Sequence, residues 1–282
     1  MLDDLPDTMA DALSDALLEF EAHPTEGPEA DALELVFEAM QSPNRQRRVT
    51  LAKQALDHFP QCAQAYAILA ESADTLEQAR DYYAEAMTVG AARIGEAVFE
   101  EDVGHFWGLV ETRPYMRARA GLAEVLWELG ETAAAMTHMR DLLRLNPGDA
   151  LGLRYRLLSW LLLLRDDEAA DALLTSYDED VSTSWLYSKA LLAFRRAPHS
   201  PAASAALQAA LETNRHVPDS LLGDEPPHEA APQFFAFGSP EEAASYAVDE
   251  ALNWMATPGA LYWLQETVSG AGRTFRRRSR KR

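Results

Sequence analysis

Residues 113–147, RPYMRARAGLAEVLWELGETAAAMTHMRDLLRLNP, constrain this chain more than any other stretch. Leu122, Ala123 and Leu126 recur at helical spacing in the first half, and Ala135, Met139 and Leu142 do so in the second. Leu129-Gly130-Glu131 separates the halves and Pro147 closes the second. This reads as two amphipathic helices joined by a tight turn. A hairpin of that kind leaves an apolar face that only a neighbouring hairpin can cover, so the rest of the chain must supply neighbours.

Counting outward with a period of about 34 residues finds them. Upstream, RRVTLAKQALDHFP carries Ala52 and Ala55 at the small contact positions and is closed by Pro60. The next unit has Tyr66, Leu69, Ala70 and Ala73 on its first helix and Ala79, Tyr83 and Ala86 on its second. It is short of the template between Ala73 and Ala79, which predicts a tighter turn or a truncated helix. Residues 88–112 are an insertion: four glycines, three consecutive acids and the cluster Val103 to Trp107 break the period. Downstream, Leu153 and Trp160, then Ala169 and Leu173, flank an Arg165-Asp166 turn, with Trp160 at a core position. A degenerate pair spans 184–194 and 201–211, and Pro218 ends the array. The predicted fold is all-α, a tetratricopeptide-like right-handed α-solenoid with its repeats in residues 42–218.

The two ends read as caps. Residues 7–20, with Met9, Leu13, Leu17 and Phe20, and residues 29–41, with Leu33, Val36, Phe37 and Met40, predict an N-terminal helical hairpin within 1–41, broken at Pro24 to Pro28. Residues 219–232 read as a linker rich in proline and acids. Gln233 to Gly238 reads as a short strand or an extended aromatic anchor, opening a C-terminal segment, 233–268, that folds back on the repeats. Its helices are predicted to begin at Ser239-Pro240-Glu241-Glu242, a hydroxyl cap followed by proline and a glutamate, and at Thr257-Pro258-Gly259. Residues 269–282 read as a disordered basic tail.

Composition narrows the function classes. The 282 residues include one cysteine, Cys62, which excludes an internal disulfide framework and a cysteine-rich zinc site. Its place just after Pro60 predicts a small buried residue rather than a reactive thiol. An acidic start, MLDDLPDTMADAL, does not look like a secretion signal. Apolar runs such as Trp160 to Leu164 are far shorter than the roughly 18 residues that span a bilayer. A cytoplasmic location is expected. The net charge of −20 is unevenly spread, because RTFRRRSRKR holds seven Lys or Arg and leaves 18 basic residues against 45 acidic ones elsewhere. Such a body repels nucleic acid and anionic lipid, so contact with an anionic surface would run through the tail Arg273–Arg282.

Four runs carry a family resemblance: CAQAYAILAESADTLEQARDYY, FEEDVGHFWGLVETRPYMRARAGLAEVLWELG, RLNPGDALGLRYRLLSWLL and FFAFGSPEEAASYAVDEALNWMATPGALYWL. Over residues 44–264 the chain resembles the suppression-of-tumorigenicity-7 family in a short, bacterial-type form. The resemblance implies a tetratricopeptide-like fold and brings no enzymatic activity. Eukaryotic members carry membrane-spanning segments that have no counterpart in this sequence.

If the first helices line a concave groove, Gln64, Ala67 and Glu71, then Arg117, Ala120 and Glu124, then Leu151, Arg154 and Leu158 face it. The asparagines and lysines that clamp a peptide carboxylate in some arrays are missing. Arginines take their place: Arg113, Arg117, Arg119, Arg154 and Arg156 recur in an otherwise acidic protein, and guanidinium forks suit carboxylates and phosphates. A peptide or protein partner held by Arg113, Tyr115, Arg117, Glu124 and Arg154 is the reading favoured here. The competing structural reading pairs these arginines with Glu100, Glu101, Asp102 and Glu111. A second class of function is an enzyme: Glu101 and His105 are four apart, with Asp102 and Glu111 close by, a set able to bind a metal or exchange protons if one helical face carries it. No HExxH, phosphate-binding loop or nucleophile turn accompanies it, Gly104 and Gly108 oppose a long helix, and a structural role for His105 is favoured. No cofactor or metal is expected. The third class is association of the tail with membrane or nucleic acid.

Overall fold

The computed structural model describes residues 24–223 and 236–279, with residues 270–279 described by backbone alone. All secondary structure among the described residues is helical, and it divides into two compact units, residues 1–153 and 154–282.

The first unit contains α1 (Pro28–Gln41), α2 (Arg45–His58), α3 (Ala63–Glu71), α4 (Leu76–Ile94), a short α5 (Glu96–Glu101), α6 (Arg113–Glu128) and α7 (Thr132–Leu145). Consecutive helices pack as hairpins, α1 with α2, α3 with α4 and α6 with α7, and α4 also packs along α6. Local chemistry sets the boundaries. The Asn44 side chain accepts from the Arg47 amide at 3.0 Å and the Thr75 hydroxyl from the Gln78 amide at 3.2 Å, each cap contributing about 1 kcal/mol. At the end of α6, Glu131 N–H donates to the Leu126 carbonyl and Gly130 N–H to that of Trp127. With Gly130 at φ 80° this is a Schellman stop.

Small residues set the spacing of the layers. Ala32, Ala39, Ala52, Ala55 and Ala65 join Val36, Leu51, Ile68 and Leu69 in one core, and Cys62 is buried with them. Where α4 crosses α6, Gly90 lies against Tyr115: a Cβ there would meet the Tyr115 Cα at 3.2 Å. Farther along, a Cβ on Gly121 would come within 2.4 Å of two ring carbons of Tyr83 and 2.9 Å of its hydroxyl. The short repeat is explained by α3, which stops at Glu71, whereas α4 runs to Ile94 and absorbs the first residues of the expected insertion.

The second unit holds α8 (Leu153–Leu163), α9 (Asp167–Ser176), α10 (Thr183–Arg196), α11 (Pro201–Thr213), α12 (Val217–Leu222), α13 (Pro240–Met255) and α14 (Ala260–Ser279). Side chains of Asp166, Ser182, Ser200 and Ser239 cap α9, α10, α11 and α13. The expected Arg165-Asp166 turn is a second Schellman stop, with Arg165 at φ 62° in place of glycine. Trp160 is buried, as its repeat position predicts. The core joins α10 and α11 to the C-terminal helices through Tyr187, Phe194, Leu207, Tyr246, Trp254 and Trp263. Phe194 stacks on Trp263 with centroids 4.6 Å apart, and the Trp254 indole donates to the Tyr246 hydroxyl at 2.8 Å.

Ser239 starts α13 as its sequence predicts, but Glu242 accepts from the Gly238 amide at 2.6 Å and from the Asn214 side chain at 3.0 Å. The start of α13 is therefore tied to the end of α11. Three boundaries differ from expectation. Pro218, expected to end the array, sits in the first turn of α12, where a missing N–H costs nothing, and that helix runs on to Leu222. Of residues 233–238, expected as a short strand or an extended aromatic anchor, only 236–238 are among the described residues, and they form a turn with Phe237 exposed. The backbone of α14 continues to Ser279, through most of the stretch read as a disordered tail. The helix predicted at 7–20, the linker residues 224–232 and the last three residues of the tail lie outside the described residues.

Candidate functional site

The start of α6 is where the irregular segment meets the regular hairpins. α5 ends at Glu101, Gly104 takes φ 94°, and two 3-10 turns, Phe106–Gly108 and Val110–Thr112, lead into Arg113. The Thr112 hydroxyl fastens this path by donating to the Phe106 and Leu109 carbonyls. The Gly104 amide donates to the Leu145 carbonyl at 3.0 Å, which ties the segment to the end of α7. Phe106 is fully buried beside Phe99, Tyr115, Met116, Leu142 and Leu145.

Two guanidinium groups meet the indole of Trp107. Arg113, only 2% exposed, donates from Nε to the Trp107 carbonyl at 3.1 Å and lies over its ring at 4.8 Å. Arg117, one turn on and exposed, lies over the same ring at 5.4 Å. Each contact is a cation–π attraction of about 0.5–2 kcal/mol, larger on the buried side. One arginine anchors the half-buried indole and the other carries it to the surface.

Below this stack, Arg119 bonds the Tyr115 hydroxyl at 2.8 Å, the His138 Nδ1 at 3.1 Å and the Asp141 carboxylate. Burial and the nearby Arg119 push the His138 pKa down, so the ring accepts as a neutral imidazole. Burial alone would raise Asp141, but hydrogen bonds and charge from Arg144 and Arg119 hold it below the usual aspartate range. In the second unit Arg154 is similarly engaged. It bonds Asp180 at 2.9 Å and sits over Tyr155 at 4.3 Å, Tyr177 at 5.4 Å and Trp185 at 6.0 Å. The Tyr155 hydroxyl completes the cluster by donating to Asp180 at 2.8 Å.

The residues expected at a partner site differ in their surroundings. Arg117 is exposed and Glu124 half-buried on α6, but Arg113 and Tyr115 belong to the interior and Arg154 to an internal ion pair in the other unit. The expected pairing of arginines with acids of the insertion does not form: Glu100, Glu101, Asp102 and Glu111 make no ion pair among the described residues. Nor do Glu101 and His105 share a helical face, because α5 has already ended and Gly104 turns the chain between them. Among the described residues no three of His, Cys, Asp or Glu are placed to hold a metal. Periodicity alone did not single out Trp107. The available signal was an aromatic cluster beside RPYMR, two arginines one helical turn apart.

A family model described as ST7 protein matches residues 25–281. The chain belongs to the ST7 family. It is 30% identical over 256 residues to a Gallus gallus protein named suppressor of tumorigenicity 7 protein-like, a match that covers 83% of this chain and 45% of the relative. It is 29% identical over 278 residues to the ST7 homolog of Drosophila pseudoobscura pseudoobscura, covering 88% and 50%. The Mus musculus suppressor of tumorigenicity 7 protein-like chain is 30% identical over 275 residues, covering 88% and 48%. The chain spans about half the length of these relatives. Among the described residues no helix is long and apolar enough to cross a membrane.

Proposed function

We propose that this ST7-family chain is a tetratricopeptide-like binding protein that holds a peptide or protein partner on its first unit, around Trp107 and Arg117. The observation that carries this reading is the Arg113–Trp107–Arg117 stack. Tryptophan and arginine dominate the energy of protein interfaces, chiefly where a scaffold has already fixed their rotamers. Here the buried Arg113 fixes the indole from beneath, Thr112 fixes the backbone that presents it, and Arg117 faces solvent. The exposed carboxylates of Glu101 and Glu111 lie on the same segment and give a mixed-charge rim. Stacked helical hairpins supply the rigid base that such a surface needs.

The test is affinity capture from the source cells with the full chain and with Arg117→Glu and Trp107→Ala. A true partner should be weakened at least tenfold by both, the change that corresponds to about 1.4 kcal/mol. Identical partner profiles for all three proteins, with native circular dichroism, would sink the proposal.

A further inference from the structure

The second unit buries an acid that nothing in the binding reading uses. Glu250, on α13, is 2% exposed and makes no ion pair among the described residues. Its Oε2 accepts from the Asn253 side-chain amide at 2.7 Å. That amide also reaches across to α8, donating to the Ser159 carbonyl at 3.1 Å and hydroxyl at 3.2 Å. The other half of the Asn253 amide, Oδ1, is buried with no donor. An ionised Glu250 has no proton to offer it. A neutral carboxylic acid brings a donor into this buried cluster, which the ionised form does not.

Burial favours the neutral acid, against the Asn253 and Ser159 hydrogen bonds and the charge of Arg156, which favour the carboxylate. On its own helix Glu250 has Asp249, whose charge opposes its ionisation, and Tyr246. From α8 come the Ser159 hydroxyl, which stabilises the carboxylate, and Arg156, whose guanidinium lies 3.7 Å from Asp249. From α10 comes Arg195, which is bonded to Asp167 at 3.0 Å and to the Thr257 hydroxyl at 2.8 Å. The side chains that α12 and α14 pack into this core are apolar: Val217, Leu221, Leu222, Ala260, Trp263 and Leu264. Burial is the largest influence and pushes the Glu250 pKa up to about 7.

We infer that Glu250 is a proton-operated latch: its protonated form holds α13 on α8 through Asn253 and Ser159, and its ionisation loosens the C-terminal hairpin. The face of α13 turned away from this latch exposes Val248, Leu252 and Met255, so loosening would also re-aim an apolar stripe at the surface.

Because Glu250 titrates higher in the docked state than its ordinary value of 4.5, docking is strongest below that value. It weakens as pH rises toward 7 and then levels off. The local opening equilibrium of α13 should increase about 70-fold between pH 5 and pH 8. Hydrogen exchange of the full chain, corrected for the intrinsic rate at each pH, measures it. Glu250→Gln keeps the shape and a donor but cannot ionise, so its opening equilibrium should stay flat, whereas Asp249→Asn should retain the slope. An unchanged slope in Glu250→Gln, or a flat wild type, overturns the inference. A carboxyl-carbon NMR titration of wild-type protein decides the matter even if the glutamine variant fails to fold. A Glu250 midpoint near neutrality supports the latch, and one near 4.5 excludes it.

Discussion

The glycine of α6 that faces α4 offers the sharpest test of how the first unit is packed. An alanine at Gly121 would favour the helix by about 1 kcal/mol through backbone entropy alone. Its methyl group, however, has no room: it would lie 2.4 Å from two carbons of the Tyr83 ring and 2.9 Å from the hydroxyl oxygen. Inserting one carbon into a packed helix interface costs about 1–3 kcal/mol, so Gly121→Ala should be destabilising on balance by about 1 kcal/mol. In a Tyr83→Ala background the obstruction is gone and only the entropic gain remains, so the same substitution should stabilise by about 1 kcal/mol. The coupling between the two sites is then about 2 kcal/mol, well above the few tenths expected for independent positions. The assay is hydrogen exchange of α4 and α6 in the four proteins of the cycle. A coupling under about 0.5 kcal/mol, or a Gly121→Ala protein more stable than wild type, would refute the packing described here.

Two further outcomes concern the ionisable groups. Although burial by itself raises Asp180, hydrogen bonds from Ser182, Tyr155 and Arg154 hold its pKa below the ordinary value of 3.8. Its stabilisation of the second unit should be fully present above that ordinary value and vanish as pH falls through the lowered one, giving an acid limb in thermal melts that Asp180→Asn abolishes. Cys62 is 1% exposed and its thiol is pushed up by burial. It should resist iodoacetamide at pH 8 in native protein and react fully in urea, and stoichiometric native labelling within minutes would contradict its place in the core.

How much of this was legible depends on what each residue does. Leu122, Ala135 and Met139 repeat at 3.6-residue spacing because they cover a face, and that periodicity located the hairpins. Gly130 and Ser239 marked boundaries because their roles are local. The insertion was recognised by loss of period, but its contacts were not recoverable, since Trp107 meets Arg113 through a folded path that no spacing rule describes. The arginines invited pairing with nearby acids, whereas Arg119 and Arg154 found Asp141 and Asp180, more than twenty residues along the chain. Glu250 also carries a signal in the sequence. It occupies a position in the run Ala243, Tyr246, Ala247, Trp254 where every other member is apolar and buried, so an acid there had to be buried as well.

The bond from Asn214 to Glu242 fixes where α13 begins without reference to the residues between 223 and 236. The two ends of that connection are held by packed structure, so its length is nearly free of thermodynamic consequence: doubling it would cost only about 0.6 kcal/mol of closure entropy. Extra sequence can therefore accumulate there while the C-terminal helices keep their register.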